Sequence, residues 1–211
     1  MVNMRISSQK SRDDAKPRAP KRQRGHDRVV VLMEAAAKIF VERGYDAATM
    51  TEIAAEARSS IGSLYQFFAT KVLLAEALHV ERLERLNGVF AELEQDVDGL
   101  SAAAIGDAIF DRLAVFIKEF PEFPALAGRR DIPKERKARS RAALKERIAA
   151  LLGRAEPSVA GEVGLLSSIV LELLRIVVAV ASDPDAGQDE LLVHELRLML
   201  RKRLEEASAP A

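Results

Sequence analysis

The sequence predicts an all-α fold of about nine helices. Apolar residues recur at helical spacing along most of the chain, and no segment alternates as a half-buried strand does. The periodic stretches are separated by glycine or proline, as at Gly44, Asp98-Gly99 and Asp183-Pro184. With 211 residues, of which 48% are hydrophobic, the chain is long and apolar enough to bury a substantial core.

The first 26 residues differ from the rest of the chain. Residues 1–26 have no apolar period and carry eight Lys or Arg residues against Asp13 and Asp14. They are predicted to form a disordered basic tail, because such a segment cannot bury enough apolar surface to fold. Two roles stay open for this tail. It is either a solvated extension or an arm that follows DNA phosphates or enters a minor groove.

The first helix is predicted from about Asp27 to Arg43. Gly44 ends it, as glycine often does at a helix C-terminus. Its apolar positions share one helical face and are Val29, Leu32, Ala36, Ile39 and Phe40.

Two short helices follow, separated by a turn of about three residues. Thr49 and Glu52 have the spacing of a capping box at the start of the first, and Ser60 is placed to cap the second. The second helix has an apolar side made of Leu64, Phe67 and Phe68. Two short helices joined in this way form a helix-turn-helix, which can lay its second helix in the major groove of DNA.

The rest of the chain is predicted to be helical as well. Thr70 can cap a fourth helix that continues to about Gln95. Further helices are predicted at about 102–119, over most of 128–147, at 159–181 and at 188–205, with a break at 121–124. The strongly basic segment 128–147 is interpreted as a solvated helix face, with a second DNA contact as the alternative. The predicted organisation is a tail at 1–26, a helix-turn-helix domain at 27–72, and a regulatory and dimerisation domain at 73–207.

Charge is distributed unevenly, although the formal net charge is zero. Residues 1–71 hold 13 Lys or Arg against 8 Asp or Glu, and residues 72–211 hold 19 against 24. A basic N-terminal third is the electrostatic pattern of a protein that binds nucleic acid. The absence of cysteine excludes disulfides and thiolate metal sites. Glu172 and Arg175 interrupt the most apolar run, and no secretory signal is evident, so we expect a cytoplasmic protein that does not span a membrane.

The helix-turn-helix region resembles the N-terminal domain of the tetracycline-repressor (TetR/AcrR-type) family of transcriptional regulators. The resemblance covers about residues 28–75 and rests on Phe40-x-x-x-Gly44-Tyr45-x-x-x-Thr49-x-x-x-Ile53-Ala54 followed by Ser60-Ile61-Gly62-Ser63-Leu64-Tyr65-Gln66-Phe67-Phe68-x-x-Lys71. Two positions depart from the family, which usually has glycine at position 58 and an apolar residue at position 59. A left-handed Arg58 would cost on the order of 1 kcal/mol.

The resemblance implies a homodimer that binds a palindromic double-stranded DNA operator and acts as a repressor released by a small-molecule effector. Thr49 and Lys71 would contact phosphates, and Tyr65 would contact a phosphate or a base edge. The predicted DNA-binding residues are Thr49, Thr51, Ser60, Ile61, Gly62, Ser63, Tyr65, Gln66 and Lys71. Gln66 can pair with adenine through two hydrogen bonds, and Ile61 can contact a thymine methyl group.

The helix at 163–181 is apolar around most of its circumference, so it must be covered on nearly all sides. The resemblance implies that this helix and the last one pair with their mates in a four-helix bundle. The alternative is that both helices are internal to one chain. The predicted dimer residues are Leu166, Ile169, Val170, Leu173, Val177, Leu192, Leu196 and Met199.

An apolar effector pocket is predicted among clustered aromatic residues, with plain core packing as an equal alternative. These residues are Phe90, Phe110, Phe116, Phe120 and Phe123.

Two other functions stay open. One is a DNA-binding regulator without a small ligand, controlled by its level or by a protein partner. The other is a helical-bundle enzyme. Glu76-x-x-His79 has half the spacing of a di-iron site, but neither other histidine has an acid three residues before it. No catalytic residue, cofactor or metal site is therefore predicted, and His79 is expected at the surface or edge of the fourth helix.

Overall fold

The computed structural model describes residues 21–129, 134–182 and 189–209. Within these ranges the chain forms nine α-helices and a 3-10 turn at Leu93–Gln95, without a strand, which confirms the all-α prediction. The helices are α1 (Lys21–Arg43), α2 (Met50–Glu56), α3 (Ile61–Phe67), α4 (Lys71–Glu92), α5 (Ala102–Glu119), α6 (Glu122–Ala127), α7 (Lys134–Leu152), α8 (Val163–Val180) and α9 (Asp189–Ala207).

Two predicted boundaries are corrected. Helix α1 begins at Lys21, so the last six residues assigned to the basic tail are helical, while residues 1–20 lie outside the described part of the chain. Helix α6 occupies the segment predicted as a break. Pro124 is tolerated there because it lies in the first turn, where a backbone N–H has no partner within the helix.

Helices α1, α2, α3 and the first turns of α4 enclose an N-terminal core. Leu32, Ile53 and Leu64 are completely buried in it. Leu74 and Leu78 of α4 belong to this core, and so does Leu126 of α6. The N-terminal core is therefore closed by α6, which packs against α1 and α4.

A second core lies between α5, α7, α8, α9 and the remainder of α4. Leu86 and Phe90 of α4 are buried in it. One continuous helix thus contributes to both cores, and the division between them falls within α4, between Leu78 and Leu83, rather than at the predicted position near residue 72.

Helices α5 and α9 approach each other closely at Gly106. A Cβ atom on Gly106 would lie 2.6 Å from Cδ1 of Leu204, so a larger residue would force the Leu204 side chain to move. Arg197 of α9 donates hydrogen bonds to the carboxylates of Asp107 and Asp111 of α5, each at 2.6 Å. These ion pairs link α5 and α9 beside the close contact at Gly106.

Helix α8 is, among the described residues, the one helix long and apolar enough to cross a membrane by length and composition. Its inner face packs in the second core, where Leu166, Val170 and Leu174 are buried. Its opposite face leaves Leu165 and Ile176 exposed. The helix is therefore a core helix with a second apolar face that the described residues leave exposed in part.

Arg82 of α4 joins the two parts of the molecule. Its side chain is 1% exposed, and Nε donates to the Glu122 carboxylate of α6 at 2.8 Å. The two terminal nitrogens donate to the two carboxylate oxygens of Glu34 in α1 at 3.0 and 3.1 Å, and Glu81 accepts a further bond at 2.6 Å. Burial alone would lower the pKa of Arg82, but the hydrogen bonds to Glu34 and Glu122 outweigh it and raise the pKa above its ordinary value.

Replacing Arg82 by methionine should lower the free energy of unfolding by about 3–5 kcal/mol, because Glu122 would remain as a buried carboxylate without its cation. Urea denaturation measures this loss. The matched control is Arg85→Met on the same helix, where an exposed ion pair with Glu81 is worth at most about 1 kcal/mol. Equally small losses in both variants would show that the Arg82 cluster does not hold the helices together.

Candidate DNA-binding surface and interhelical cavity

The start of α2 has the predicted capping box. The Thr49 hydroxyl accepts a hydrogen bond from the Glu52 amide at 3.2 Å, and Oε2 of Glu52 accepts one from the Thr49 amide at 2.9 Å. The hydroxyl also donates to the same carboxylate at 2.7 Å. These bonds, the hydroxyl bond foremost, lower the pKa of Glu52. Because the one O–H donor of Thr49 is taken by Glu52, a phosphate contact at this position would have to displace that bond or use the backbone.

The turn between α2 and α3 is strained at Arg58. Its φ of 48° lies in the left-handed region. Glycine adopts this conformation without strain, whereas the Cβ atom of an arginine makes it costly. The Ser59 hydroxyl accepts a hydrogen bond from the Arg28 guanidinium at 2.5 Å and so ties the turn to α1. Ser60 caps α3 as predicted, since its hydroxyl accepts a bond from the Ser63 amide at 3.1 Å.

Helix α3 presents most of its surface to solvent. Leu64 is its one buried residue, and Ile61, Tyr65 and Phe67 are 39%, 51% and 40% exposed. Phe67, which was expected on the packed side with Phe68, therefore lies outside the core. Gln66 and Gly62 are exposed as well, and Ser63 is half-buried. A short helix that projects apolar and amide side chains into water has a surface suited to base edges and thymine methyl groups.

Gly62 is not required by the fold. A Cβ atom placed on it would have no neighbour within 4 Å, and its backbone is ordinary helix. Glycine in a helix is destabilising relative to alanine. The absence of any internal reason for glycine at this exposed position supports close approach of the backbone to an external ligand.

Lys71 at the start of α4 is held by the chain itself. Its ammonium donates to the backbone carbonyls of Tyr45 at 2.8 Å, Asp46 at 3.1 Å and Ala48 at 2.8 Å. An ammonium has three donors, so these bonds use all of them. The phosphate contact predicted for Lys71 would have to replace one of the three, and the side chain also fixes the loop between α1 and α2.

The ring of Tyr45 lies against two cations. The Lys71 ammonium is 4.6 Å from the ring centroid, and the Arg129 guanidinium, just beyond α6, is 3.7 Å from it. Arg129 also pairs with the Asp46 carboxylate at 3.1 Å. The loop that precedes the helix-turn-helix is therefore in direct contact with the end of α6.

An interhelical cavity of about 910 Å³ lies between α4, α5, α6, α7 and α8. Its walls are mostly apolar, with His79 and three arginines among them. The lining residues are His79, Leu83, Leu86, Leu113, Phe123, Ala127, Gly128, Arg129, Ala138, Arg141, Leu144, Leu171, Leu174, Arg175, Val178 and Ala179.

The predicted aromatic pocket is largely wrong. Of the five phenylalanines, Phe123 lines the cavity, whereas Phe90, Phe110, Phe116 and Phe120 are buried in the second core. Phe116 packs against Phe120 and Phe123 with ring centroids 4.7 and 5.3 Å apart. Helical spacing correctly predicted that these rings face inward. The alternative of plain core packing applies to all of them except Phe123.

The sequence interpretation missed the polar residues of the cavity. His79 was expected near the surface but is buried and stacked on Phe123, with ring centroids 5.4 Å apart. Arg141 was assigned to a solvated face. Its position three and seven residues before the buried Leu144 and Ile148 is the signal that it shares their inward side.

The predicted dimer residues divide into two groups. Leu166, Val170, Val177 and Leu196 are buried inside the single chain, which corrects their assignment to an interface. Ile169 and Leu173 are half-buried, while Leu192 and Met199 are 45% and 64% exposed. A helix that is apolar on all sides has no periodic signal that distinguishes its inner face from its outer face. Some of the residues predicted for the interface therefore lie on the inner face. The further exposed apolar residues on α8 and α9 are Leu165, Ile176, Leu191 and Leu198.

Within the described ranges, no group of three or more His, Cys, Asp or Glu side chains could hold a metal ion. Glu76 and His79 of α4 are buried, but among the described residues no second Glu and His pair completes a di-iron site with them.

The family model for "Bacterial regulatory proteins, tetR family" matches residues 32–78, from the middle of α1 to the first turns of α4. A search of the curated proteins finds no match. Among solved structures, a TetR-family transcriptional regulator from Streptomyces coelicolor is 26% identical, with a TM-score of 0.58 over 84% of this chain and 99% of that one.

Two regulators called FadR have a similar fold. One, from Bacillus subtilis in complex with stearoyl-CoA, has a TM-score of 0.61 at 15% identity over 81% of this chain and 96% of that one. The other, a fatty acid degradation regulator from Bacillus halodurans, has a TM-score of 0.60 at 17% identity over 88% and 96%. The resemblance is thereby confirmed. Residues 32–78 are a TetR-type DNA-binding domain, and the chain as a whole has the fold of TetR-family transcriptional regulators.

Replacing Gly62 by alanine separates folding from DNA binding. The variant should gain up to about 1 kcal/mol in free energy of unfolding, because the new methyl group meets open space, and should bind DNA more weakly. Thermal unfolding and fluorescence anisotropy with labelled duplex measure the two effects. Gly88→Ala is the matched control, since Gly88 is an exposed residue inside α4 with equally open space. It should stabilise the protein and leave DNA affinity unchanged. Equal DNA affinities of the two variants would remove Gly62 from the DNA-binding surface.

Proposed function

We propose that the protein is a cytoplasmic, homodimeric DNA-binding regulator that represses transcription from a palindromic operator and is released by a small molecule. The single observation that carries the DNA-binding part is α3, a short helix that buries Leu64 alone and exposes Ile61, Tyr65 and Gln66. A second helix of a helix-turn-helix with this exposure can enter the major groove.

The exposure of α3 supports the proposed DNA contacts. Ser60, Ile61, Gly62, Ser63, Tyr65 and Gln66 would face the groove, and Thr49, Thr51 and Lys71 would lie along the phosphates. Thr51 is exposed on the first turn of α2, where free backbone amides favour anions. Lys71 would act mainly by holding the loop at Tyr45, since its three donors are engaged there.

Selection of binding sites from random duplexes tests the function. The wild-type protein should select an inverted repeat whose half-site centres are separated by about 34–36 Å, one turn of DNA. Gln66→Ala should lose preference at one base pair in each half-site, at a cost of about 1–3 kcal/mol. Thr51→Ala should select the same sequence and bind all duplexes more weakly. Absence of any enriched sequence, or identical selections by wild type and Gln66→Ala, would contradict the assignment.

The exposed apolar residues of α8 and α9 support the homodimer. Leu165, Ile176, Leu191 and Met199 lie on the outer sides of two helices that pack against each other. Apolar surface of this kind is usually covered. Pairing of both helices with their mates in a second copy would bury them in a four-helix bundle.

Placing a charge in this surface should break the dimer without disturbing the core. Ile176→Arg and Met199→Arg should each give monomers, because the interface would have to bury an unpaired cation. Light scattering at micromolar concentration measures the mass. Val115→Arg is the control, since Val115 is an equally accessible apolar residue, 62% exposed, on α5. A wild-type protein that is monomeric, or a Met199→Arg protein that stays dimeric, would contradict this interface.

The interhelical cavity supports the small-molecule effector. Its volume of about 910 Å³ falls within the range of ligand pockets, about 300–1,000 Å³. The Bacillus subtilis regulator of similar fold is in complex with stearoyl-CoA, a ligand with a long apolar chain. A cavity of this size favours an effector-controlled regulator over one without a ligand.

A further inference from the structure

Three arginines from three separate segments line the interhelical cavity. Arg129 follows α6, Arg141 is in α7 and Arg175 is in α8. The rest of the wall is mostly aliphatic, and the described lining residues include no aspartate or glutamate. Several cations in a wall without a carboxylate favour an anionic group on a ligand that enters the cavity.

Arg175 and Arg129 each have an ion-pair partner that is not part of the cavity lining. Arg175 pairs with Glu172 at 2.5 Å, but the Glu172 side chain is 61% exposed and is not in the lining. Arg129 pairs with Asp46 of the DNA-binding domain, whose side chain is 88% exposed. Burial of Arg141, reinforced by the like charge of Arg175, lowers the pKa of Arg141, and Glu172 offsets this only in part. An anion between Arg141 and Arg175 would relieve the repulsion between them.

The remainder of the cavity is suited to hydrocarbon. Leu83, Leu86, Leu113, Leu144 and Leu174 come from α4, α5, α7 and α8, and Phe123 closes the side towards α6. Burial of apolar ligand surface against these side chains is favourable at about 25 cal/mol per Å². One ligand can therefore place an anionic end at the arginines and an apolar body among the leucines.

We infer that the effector of this regulator is an anionic amphiphile, with an alkyl or aryl body in the cavity and its charge held by Arg141 and Arg175. The inference rests on the proposed function, because it names the chemistry of the effector that releases the DNA. A free carboxylic acid and its thioester with a phosphate-bearing carrier both present this chemistry.

Arg129 connects the ligand to the DNA-binding domain. Arg129 is one of the residues that line the cavity, and its guanidinium lies on the Tyr45 ring, 3.7 Å from the centroid. An anion in the cavity competes with Asp46 and Tyr45 for this cation. Withdrawal of Arg129 loosens the loop before the helix-turn-helix, so binding of the anion opposes binding of DNA.

Isothermal titration of the full-length protein with decanoate, decanol and decanoyl-CoA tests the ligand class directly, without DNA. Decanoate or decanoyl-CoA should bind at least about tenfold more tightly than decanol, the factor expected from one charge-assisted hydrogen bond. Binding by decanoate assigns a free carboxylate, and binding by decanoyl-CoA alone assigns the phosphate-bearing carrier. Equal affinities for decanol and both anions, or no binding of any probe, would overturn the inference.

Variants of neighbouring arginines locate the charge. Arg141→Gln should bind the preferred anion about 10–100-fold more weakly and decanol unchanged. Arg139→Gln on the same helix is the matched control, because Arg139 is exposed and outside the lining, and it should bind like wild type. Equal effects of the two substitutions would overturn the placement.

Anisotropy with the selected duplex separates this inference from the proposed function. The preferred anion should release the wild-type protein from DNA and should release Arg141→Gln at correspondingly higher concentration. If the protein binds no duplex, the proposed function is wrong, whether or not titration shows that the anion binds at Arg141. If it binds DNA and the bound anion leaves that complex intact, the anion is not the effector.

Discussion

The buried guanidinium of Arg82 is the constraint on which the arrangement of the molecule depends. A cation removed from water is stable only with its counter-charges in place. Here they come from Glu34 of α1 and Glu122 of α6, in addition to Glu81 on the same helix. The three helices that meet at the boundary between the two cores therefore cannot separate without leaving an unpaired charge. Helix α4 passes through this point and belongs to both cores.

A second set of contacts leads from the same junction to the DNA-binding surface. Arg129 at the end of α6 lies on Tyr45, and Lys71 at the start of α4 holds the carbonyls of the Tyr45 loop. That loop ends at the Thr49 cap of α2. A displacement of α6 or α4 at the cavity wall would reach the helix-turn-helix through these contacts. In a dimer it would change the distance between two recognition helices that must fit successive turns of DNA.

The features that sequence predicted well are local. The caps at Thr49, Ser60 and Thr70 depend on residues three positions apart, so spacing alone identified them. The features it missed depend on distant residues. Glu34, Arg82 and Glu122 meet only in the folded chain, and nothing in the spacing of Arg129 indicates the Tyr45 ring. Periodicity identified α8 as apolar throughout but could not tell whether Val170 or Ile176 faced outward.

If the proposed regulation is right, occupancy of the cavity moves the two DNA-binding domains of a dimer relative to each other. Because the chain has no cysteine, a single spin label can be attached at Val41→Cys, an exposed position on α1. Electron–electron double resonance then measures the distance between the labels of the two protomers. We expect one narrow distance on the operator and a different distribution when a saturating anionic ligand is added. An unchanged distance with the ligand bound, or no interprotomer distance at all, would contradict the proposed regulation.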